Sequence, residues 1–184
     1  QEIRGHDIGM IFQDPMTFLN PILKVGTQIE EQILRHTKCS KKEARERAIE
    51  LMKKVGIPSP EKRIDQYPFQ FSGGMRQRVA LIRTLAIHPD ILLLDEPFSA
   101  LDAMTRVALA DDLYKMIKKE GKTVLMVTHD IAEAVSLSDI VIVLTKRPAK
   151  IKTIYEIEFE DRKTPFENRS KKEFNIYYEK IWRD

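Results

Sequence analysis

The order of apolar and polar positions divides the chain into a charged, helix-rich stretch and a stretch in which helices alternate with apolar strands. Residues 16–71 contain no strand-like run. From Ser72 onward, short apolar runs at 91–95, 124–128 and 140–145 are separated by segments with helical periodicity. Near-continuous apolar strands joined by helices are typical of a parallel sheet that helices cover on both faces. The pattern therefore predicts an α/β fold.

Local signals predict where several of these elements begin and end. The apolar run 8–12 predicts a buried strand that stops before Pro15, because proline lacks a backbone donor. Ser40 and Glu43 have the spacing of a capping box, which predicts a helix start, and Gly56 predicts the end of that helix. The remaining predictions are helices at about 74–87, 103–119 and 131–137, a half-exposed strand at 151–159 and an amphipathic helix at 171–182.

Composition narrows the classes of protein that fit this pattern. With 184 residues the chain suffices for one domain. Its 31 basic and 28 acidic residues nearly cancel, whereas nucleic-acid binders usually carry a segregated basic excess, so no nucleic-acid partner is expected. No apolar run approaches the ~20 residues that span a bilayer. The single cysteine, Cys39, rules out an internal disulfide, and without a signal-like segment the cytosol is the expected compartment.

Two acidic residues, Asp95 and Glu96, follow the apolar run 91–94. Ligands of open parallel sheets bind beyond the carboxyl ends of the strands, where these acids are expected to lie. A carboxylate there can hold Mg²⁺, directly or through water, and its neighbour can act as a base on an attacking water. Asp95 is therefore a candidate metal ligand and Glu96 a candidate base. A solvated acid pair at a strand end is the alternative.

The segment Ser72-Gly73-Gly74 precedes a predicted helix. Serine is a good N-cap, and paired glycines let the backbone approach a ligand closely. Amides at a helix N-terminus attract phosphate. An ordinary glycine-containing helix start is the alternative, but this helix leads directly into the strand that ends in Asp95, and that order favours nucleotide chemistry.

Five motifs in this order resemble those of the ATP-binding-cassette (ABC) family, over essentially the whole chain. The resemblance implies a P-loop NTPase-like parallel sheet flanked by helices, with an inserted helical subdomain. In chain order the matches are Gln13 to the Q-loop glutamine, residues 71–78 to the signature motif, Asp95 and Glu96 to Walker B, residues 99–102 to the D-loop and His129 to the switch histidine.

The resemblance also implies how the chain is organised and what its site residues do. Residues 1–15 would end a core strand and form the Q-loop, 16–71 the helical subdomain, 72–160 the remaining core and 161–184 a tail. The implied catalytic residues are Glu96 for activating water, His129 for the γ-phosphate and Gln13 for the water or the metal. Those implied to contact nucleotide, partly across a head-to-tail dimer, are Ser72, Gly73, Gly74, Gln77 and Asp102. Asp95 and Gln13 would hold Mg²⁺, and ATP would be the nucleotide.

The implied partners are a second ATPase subunit and the transmembrane permease subunits of an importer, which would dock on the helical subdomain at the cytoplasmic face of the membrane.

Residues 1–35 resemble the ATPases of oligopeptide and dipeptide importers. From about Val79 onward the sequence resembles the nitrate, sulfonate and taurine type, and Phe98 stands where peptide-type subunits usually have threonine. Two other functions stay open: a soluble ABC ATPase, and a non-catalytic module that complements the nucleotide site of a partner.

No G-x-x-x-x-G-K-[ST] phosphate-binding loop occurs in these 184 residues. The amides of such a loop cradle the phosphates and its lysine neutralises their charge. The chain alone is therefore expected to bind ATP weakly and not to hydrolyse it. In the family this loop precedes the Q-loop strand, so part of the sheet edge is expected to be exposed, and we predict poor solubility of the monomer.

Overall fold

Helices separate the first four of five short strands in the computed structural model, which describes residues 7–11, 19–99 and 101–184. In none of these ranges is a helix both long and apolar enough to cross a membrane. In chain order the elements are β1 (Ile8–Ile11), α1 (Val25–His36), α2 (Lys41–Lys54), α3 (Pro60–Arg63), a 3-10 turn (Pro68–Gln70), α4 (Gly73–Leu85), β2 (Ile91–Asp95), α5 (Ala103–Glu120), β3 (Thr123–Val127), α6 (Ile131–Leu137), β4 (Ile140–Leu144), β5 (Ile151–Glu156), α7 (Pro165–Asn168) and α8 (Lys172–Arg183).

The first three strands form a parallel sheet in the order β1-β2-β3. Met10 lies beside Leu93, which lies beside Leu125, and at the carboxyl end Asp95 lies beside Val127. The predicted strands at 8–12, 91–95 and 124–128 agree with this sheet to within a residue at their described ends, and Phe12 lies outside the described residues. The α/β class with a parallel sheet is confirmed.

Strand β4 differs from the predicted pattern, in which it extends the parallel sheet. In the part of the chain that the structure describes, it pairs instead with β5 in a separate antiparallel sheet. Only a short turn separates the two strands, and the amide of Thr145 donates to the carbonyl of Lys150 across it at 2.8 Å. Such a turn suits a hairpin, whereas a parallel neighbour needs a long crossover. The β5 strand also ends at Glu156 and not at Phe159.

Helix boundaries follow the local signals closely. Ser40 caps α2: its hydroxyl accepts from the Glu43 amide at 3.3 Å, while the Glu43 carboxylate accepts from the Ser40 amide at 2.7 Å. The predicted capping box is therefore confirmed. After the last turn of α2, Gly56 has a φ of +69°, a conformation that glycine adopts without steric cost.

Helix α4 belongs to two hydrophobic cores. One side of it, including Val79 and Ile82, packs with α1 and α2 in a core built around Ile29, Ile33 and Met52. Its residues Leu81 and Leu85 pack instead in the core beneath the parallel sheet, which also contains Ile11, Leu92, Leu94, Leu109 and Leu113. A third core joins α6, β4 and α8 through Val135, Val141, Phe174 and Ile181. Helix α4 thus links the helical region, here the described residues 19–71, to the parallel sheet.

Among the described residues, helices cover one face of each sheet and leave apolar side chains on the other. Leu125 and Val127 of β3 are 58% and 57% exposed, and Met10 projects from the same face. On the hairpin, Ile142 and its cross-strand neighbour Ile154 are also exposed. Parallel sheets are normally covered on both faces. Among the described residues, each sheet therefore has an uncovered face that carries apolar side chains.

Candidate functional site

The two strongest catalytic candidates meet at the carboxyl ends of β2 and β3. Nδ1 of His129 lies 2.9 Å from Oε1 of Glu96. The backbone supports this contact, because the Glu96 amide donates to the Val127 carbonyl at 2.8 Å. Asp95, the last residue of β2, is half-buried beside Val127. The structure therefore brings Asp95, Glu96 and His129 to one edge of the parallel sheet.

The contact with Glu96 changes the protonation of His129. Its hydrogen bond to the carboxylate, and then the negative charge of that carboxylate, raise the pKa of His129 above 6.5. The imidazole is exposed and the carboxylate is half-buried. A charged imidazole beside a carboxylate at a strand end can bind an anion while the carboxylate orients a water molecule.

Glu96 has a strained backbone. Its φ is +45°, in the left-handed region that costs a residue with a Cβ roughly 1–2 kcal/mol. Three hydrogen bonds hold it there: its amide donates to Val127, and its carbonyl accepts from the Ser99 amide at 3.2 Å and the Ser99 hydroxyl at 3.0 Å. Strain of this kind persists where the surroundings determine the conformation, often in functional sites. No local sequence signal predicts it.

The start of α4 presents the predicted glycine pair. Ser72 is the N-cap, exposed, and its hydroxyl accepts from the Met75 amide at 3.3 Å. Gly73 is the first helical residue. A Cβ added to Gly74 would lie 2.6 Å from Cγ2 of Thr105 in α5. A side chain at position 74 would therefore require Thr105 or one of the two helices to shift, whatever else binds at this helix start.

Gln77 faces the protein interior. It is 3% exposed, and its Nε2 donates to the carbonyl of Pro97, the residue after Glu96. Its predicted contact with nucleotide stays a prediction. The structure gives it a second role, which is to support the turn that carries Glu96.

A charged cluster that the sequence analysis missed connects the turn at 101–102 with the turn that carries His129. Arg106 donates to the Leu101 carbonyl at 3.2 Å and pairs with Asp130 at 3.3 Å. Asp102 caps α5, and hydrogen bonds from the Thr105 side chain and amide lower the pKa of its carboxyl. Arg106 pairs with Asp130, which lies 24 residues later in the chain, so spacing along α5 does not signal this contact.

Glu133 is the buried member of this cluster. Its carboxylate accepts from the Thr128 hydroxyl at 2.8 Å and lies 3.7 Å from Nε of Arg106. Burial is the main cause that raises the pKa of Glu133. The amide of Glu133 donates to Asp130, the N-cap of α6, at 3.1 Å. Both carboxylates therefore fix the turn around His129. The D-x-x-E spacing predicts the bond from the Glu133 amide to Asp130 but not the bond from Thr128 to Glu133.

Of the two residues predicted to hold Mg²⁺, the described part of the chain contains one, the carboxylate of Asp95. Gln13, the other predicted ligand, lies outside the described residues, and across the residues that are described no three His, Cys, Asp or Glu side chains are grouped as a metal site. Mg²⁺ is usually held by one or two carboxylates together with phosphate oxygens and water. The half-buried carboxylate of Asp95, at the strand end, is suited to that partial role.

Comparisons with known proteins identify the family to which the chain is similar. The family model for ABC transporters matches residues 1–99. The oligopeptide transport ATP-binding protein OppD of Bacillus subtilis (strain 168) is 47% identical over 144 residues, which are 78% of this chain and 40% of that protein. The dipeptide transport ATP-binding protein DppD of the same strain is 47% identical over 142 residues, 77% of this chain and 42% of that protein. The chain thus spans about two fifths of the length of these curated relatives.

A solved structure is similar as well. The dimeric post-hydrolysis state of the ATP-binding cassette MJ0796, bound to ADP and Pi, superposes with a TM-score of 0.72 at 32% identity. The superposition covers 86% of this chain and 66% of that one.

Proposed function

The chain belongs to the ABC transporter family, and on that premise we propose that it forms the catalytic edge of an ATP-hydrolysing subunit that powers the import of peptides. The observation that carries this proposal is the contact between Glu96 and His129 at the carboxyl ends of neighbouring parallel strands. Nucleotides bind at that edge in α/β sheets of this kind.

Glu96 acts in this proposal as the base that orients and deprotonates the attacking water. His129 contacts the γ-phosphate, and the raised pKa of its imidazole supports a positive charge there. The two side chains are already in contact, so the imidazole holds the carboxylate in place until a phosphate group engages the imidazole. Asp95 would hold Mg²⁺, which when bound neutralises charge on the phosphates.

A second cassette completes the site. The exposed N-cap Ser72 and the following glycines would meet the nucleotide of the partner, and Asp102 would lie at the interface. The MJ0796 cassette, a structural neighbour, is dimeric, which supports this arrangement. Gln13, as in the sequence prediction, would contact the water or the metal.

Permease subunits are proposed to dock on the helical region at the cytoplasmic face of the membrane. Ile22 and Phe69 are large apolar residues that remain exposed in this region, and the Phe69 ring stacks on Tyr67 with centroids 5.7 Å apart. Exposed aromatic and aliphatic side chains are suited to a protein interface.

Peptides are the proposed cargo, in preference to nitrate or sulfonates. The two curated relatives reported above transport an oligopeptide and a dipeptide by their names. Deleting the gene in its source strain is expected to abolish growth that depends on peptide uptake. Loss of nitrate- or taurine-dependent growth, with peptide use intact, would reverse the assignment of cargo.

The catalytic assignment is tested on the complete gene product that contains these 184 residues. Glu96→Gln should lower kcat for ATP hydrolysis by roughly 10²–10⁴-fold, the usual contribution of a general base, and leave ATP binding in place. Glu158→Gln, the same change at an exposed position after β5, serves as the control. Full ATPase activity in Glu96→Gln would contradict the assignment.

A further inference from the structure

Helix α4 contacts the helical region and the catalytic edge through two adjacent side chains. Its apolar residues pack in both cores, as described above. Near its N-terminus, Gln77 and Arg78 point to different partners. Gln77 reaches toward the turn after β2, and Arg78 reaches toward the end of α2.

Arg78 connects three helices. Its Nη1 donates to the carbonyl of Val55 at the end of α2 and to Oδ2 of Asp112 in α5, the latter at 2.6 Å. The Val55 carbonyl is one of the acceptors left without a partner at a helix C-terminus, so the guanidinium satisfies it. Gly56 leaves room for this contact, because a Cβ there would lie 3.0 Å from Nη1. A shift of α2 therefore either breaks this contact or displaces the Arg78 side chain.

Gln77 transmits the position of α4 to the strained turn. Its amide nitrogen donates to Pro97, whose carbonyl follows Glu96 directly in the chain. Glu96 has the unfavourable φ of +45°, and such a conformation persists only where the surrounding structure determines it. The amide is buried, and a buried hydrogen bond is costly to break because no water replaces the lost partner.

We propose that Gln77 and Arg78 are positioning residues that couple the location of the helical region to the geometry of Glu96. This inference rests on the proposed function and deepens it. A partner that docks on the helical region could then change the position of Glu96 by a route that does not include Gln13. The route consists of contacts present in one structure: the end of α2, Arg78, α4, Gln77 and the turn at 95–99.

Hydrogen-exchange mass spectrometry of the complete gene product that contains these 184 residues, in the absence of nucleotide, tests the coupling. The reporters are amides of the turn: Glu96, bonded to Val127, and Ser99, bonded to the Glu96 carbonyl. Gln77→Met should raise their exchange rate about tenfold, as expected for the loss of one buried hydrogen bond. Arg78→Met should also raise the exchange rate, by a smaller factor, although the hydrogen bonds of Arg78 go to Val55 and Asp112 and not to that turn.

Arg45→Met is the matched control for the arginine. It also removes an arginine–aspartate pair with a 2.6 Å contact, but its partner Asp65 lies within the helical region. Exchange at the turn should not change in this variant, and exchange in α8 reports whether any variant has unfolded globally. Gln77→Asn, which keeps an amide but is too short for Pro97, replaces Gln77→Met if the latter unfolds.

Unchanged exchange at the turn in the folded Gln77 variant would overturn the proposal. So would unchanged exchange in Arg78→Met, or an equal increase in Arg45→Met. Because no nucleotide is used, these outcomes do not depend on ATP hydrolysis. Failure of the coupling is therefore distinguishable from failure of the proposed function.

Discussion

Replacing Gly74 with alanine perturbs the contact between α4 and α5 at a single atom. The new Cβ would lie 2.6 Å from Cγ2 of Thr105, closer than real Cβ contacts allow, and no other heavy atom lies as near. Rotating Thr105 away from it would sacrifice the hydrogen bond between its hydroxyl and Asp102. The two helices must therefore separate slightly, or Thr105 must lose its bond.

The sign of the stability change distinguishes packing from helix propensity. In a helix without a close neighbour, Gly→Ala stabilises the protein by about 0.5–1 kcal/mol, and the gain is smaller near the N-terminus of the helix. Overpacking a close contact costs about 1–3 kcal/mol. We therefore expect Gly74→Ala to lower the free energy of unfolding by about 1–2 kcal/mol, since the clash outweighs the propensity gain.

Urea denaturation followed by circular dichroism measures this change in a double-mutant cycle. Thr105→Ser removes the offending methyl and keeps the hydroxyl for Asp102. In that background Gly74→Ala should be neutral or stabilising, which gives a favourable coupling between the two positions. Wild-type stability, or higher, in Gly74→Ala alone would refute the close contact. Failure of Thr105→Ser to recover the loss would refute its assignment to this methyl.

Two further predictions concern charge and solubility. Since the pKa of His129 is raised above 6.5, the His129–Glu96 pair stabilises the fold fully below that pH and loses this effect as the pH rises through the raised pKa. The difference in unfolding free energy between wild type and Glu96→Gln should therefore shrink from mildly acidic to alkaline pH, and a constant difference would exclude the pair as its source. Ile142→Lys, at a position 48% exposed on the β4–β5 hairpin, should increase the monomeric fraction in light scattering, whereas an unchanged fraction would show that self-association occurs elsewhere.

Local signals in the sequence were sufficient to predict the features that depend only on neighbouring residues in the chain. The capping box of Ser40 and Glu43 and the apolar strand that ends in Asp95 needed only a few residues each. Long-range contacts were not predictable in this way. Neither the packing of Gly74 against Thr105 nor the bond from Gln77 to Pro97 has a signature in the spacing of residues, because each joins elements that are distant in the chain.

Strand β4 demonstrates the same limit at the level of topology. Its apolar run was correctly identified as a strand, but its partner depends on which edge is available. A short turn brings β5 alongside, and that contact is sufficient for an antiparallel ladder. The periodicity of a strand specifies which face is buried and does not specify its neighbour.

Residues 72–77 combine an exposed helix start, which we propose to contact a phosphate, with side chains that pack within the protein. Ser72 is exposed at the helix start, while Gly74 and Gln77 contact Thr105 and Pro97. If these residues served nucleotide binding alone, their substitution would leave the nucleotide-free chain unchanged. The structure predicts the opposite: both substitutions alter the stability or the exchange of the free chain. A defect in ATP hydrolysis at either position therefore needs a measurement without nucleotide before it is attributed to a lost contact with ATP.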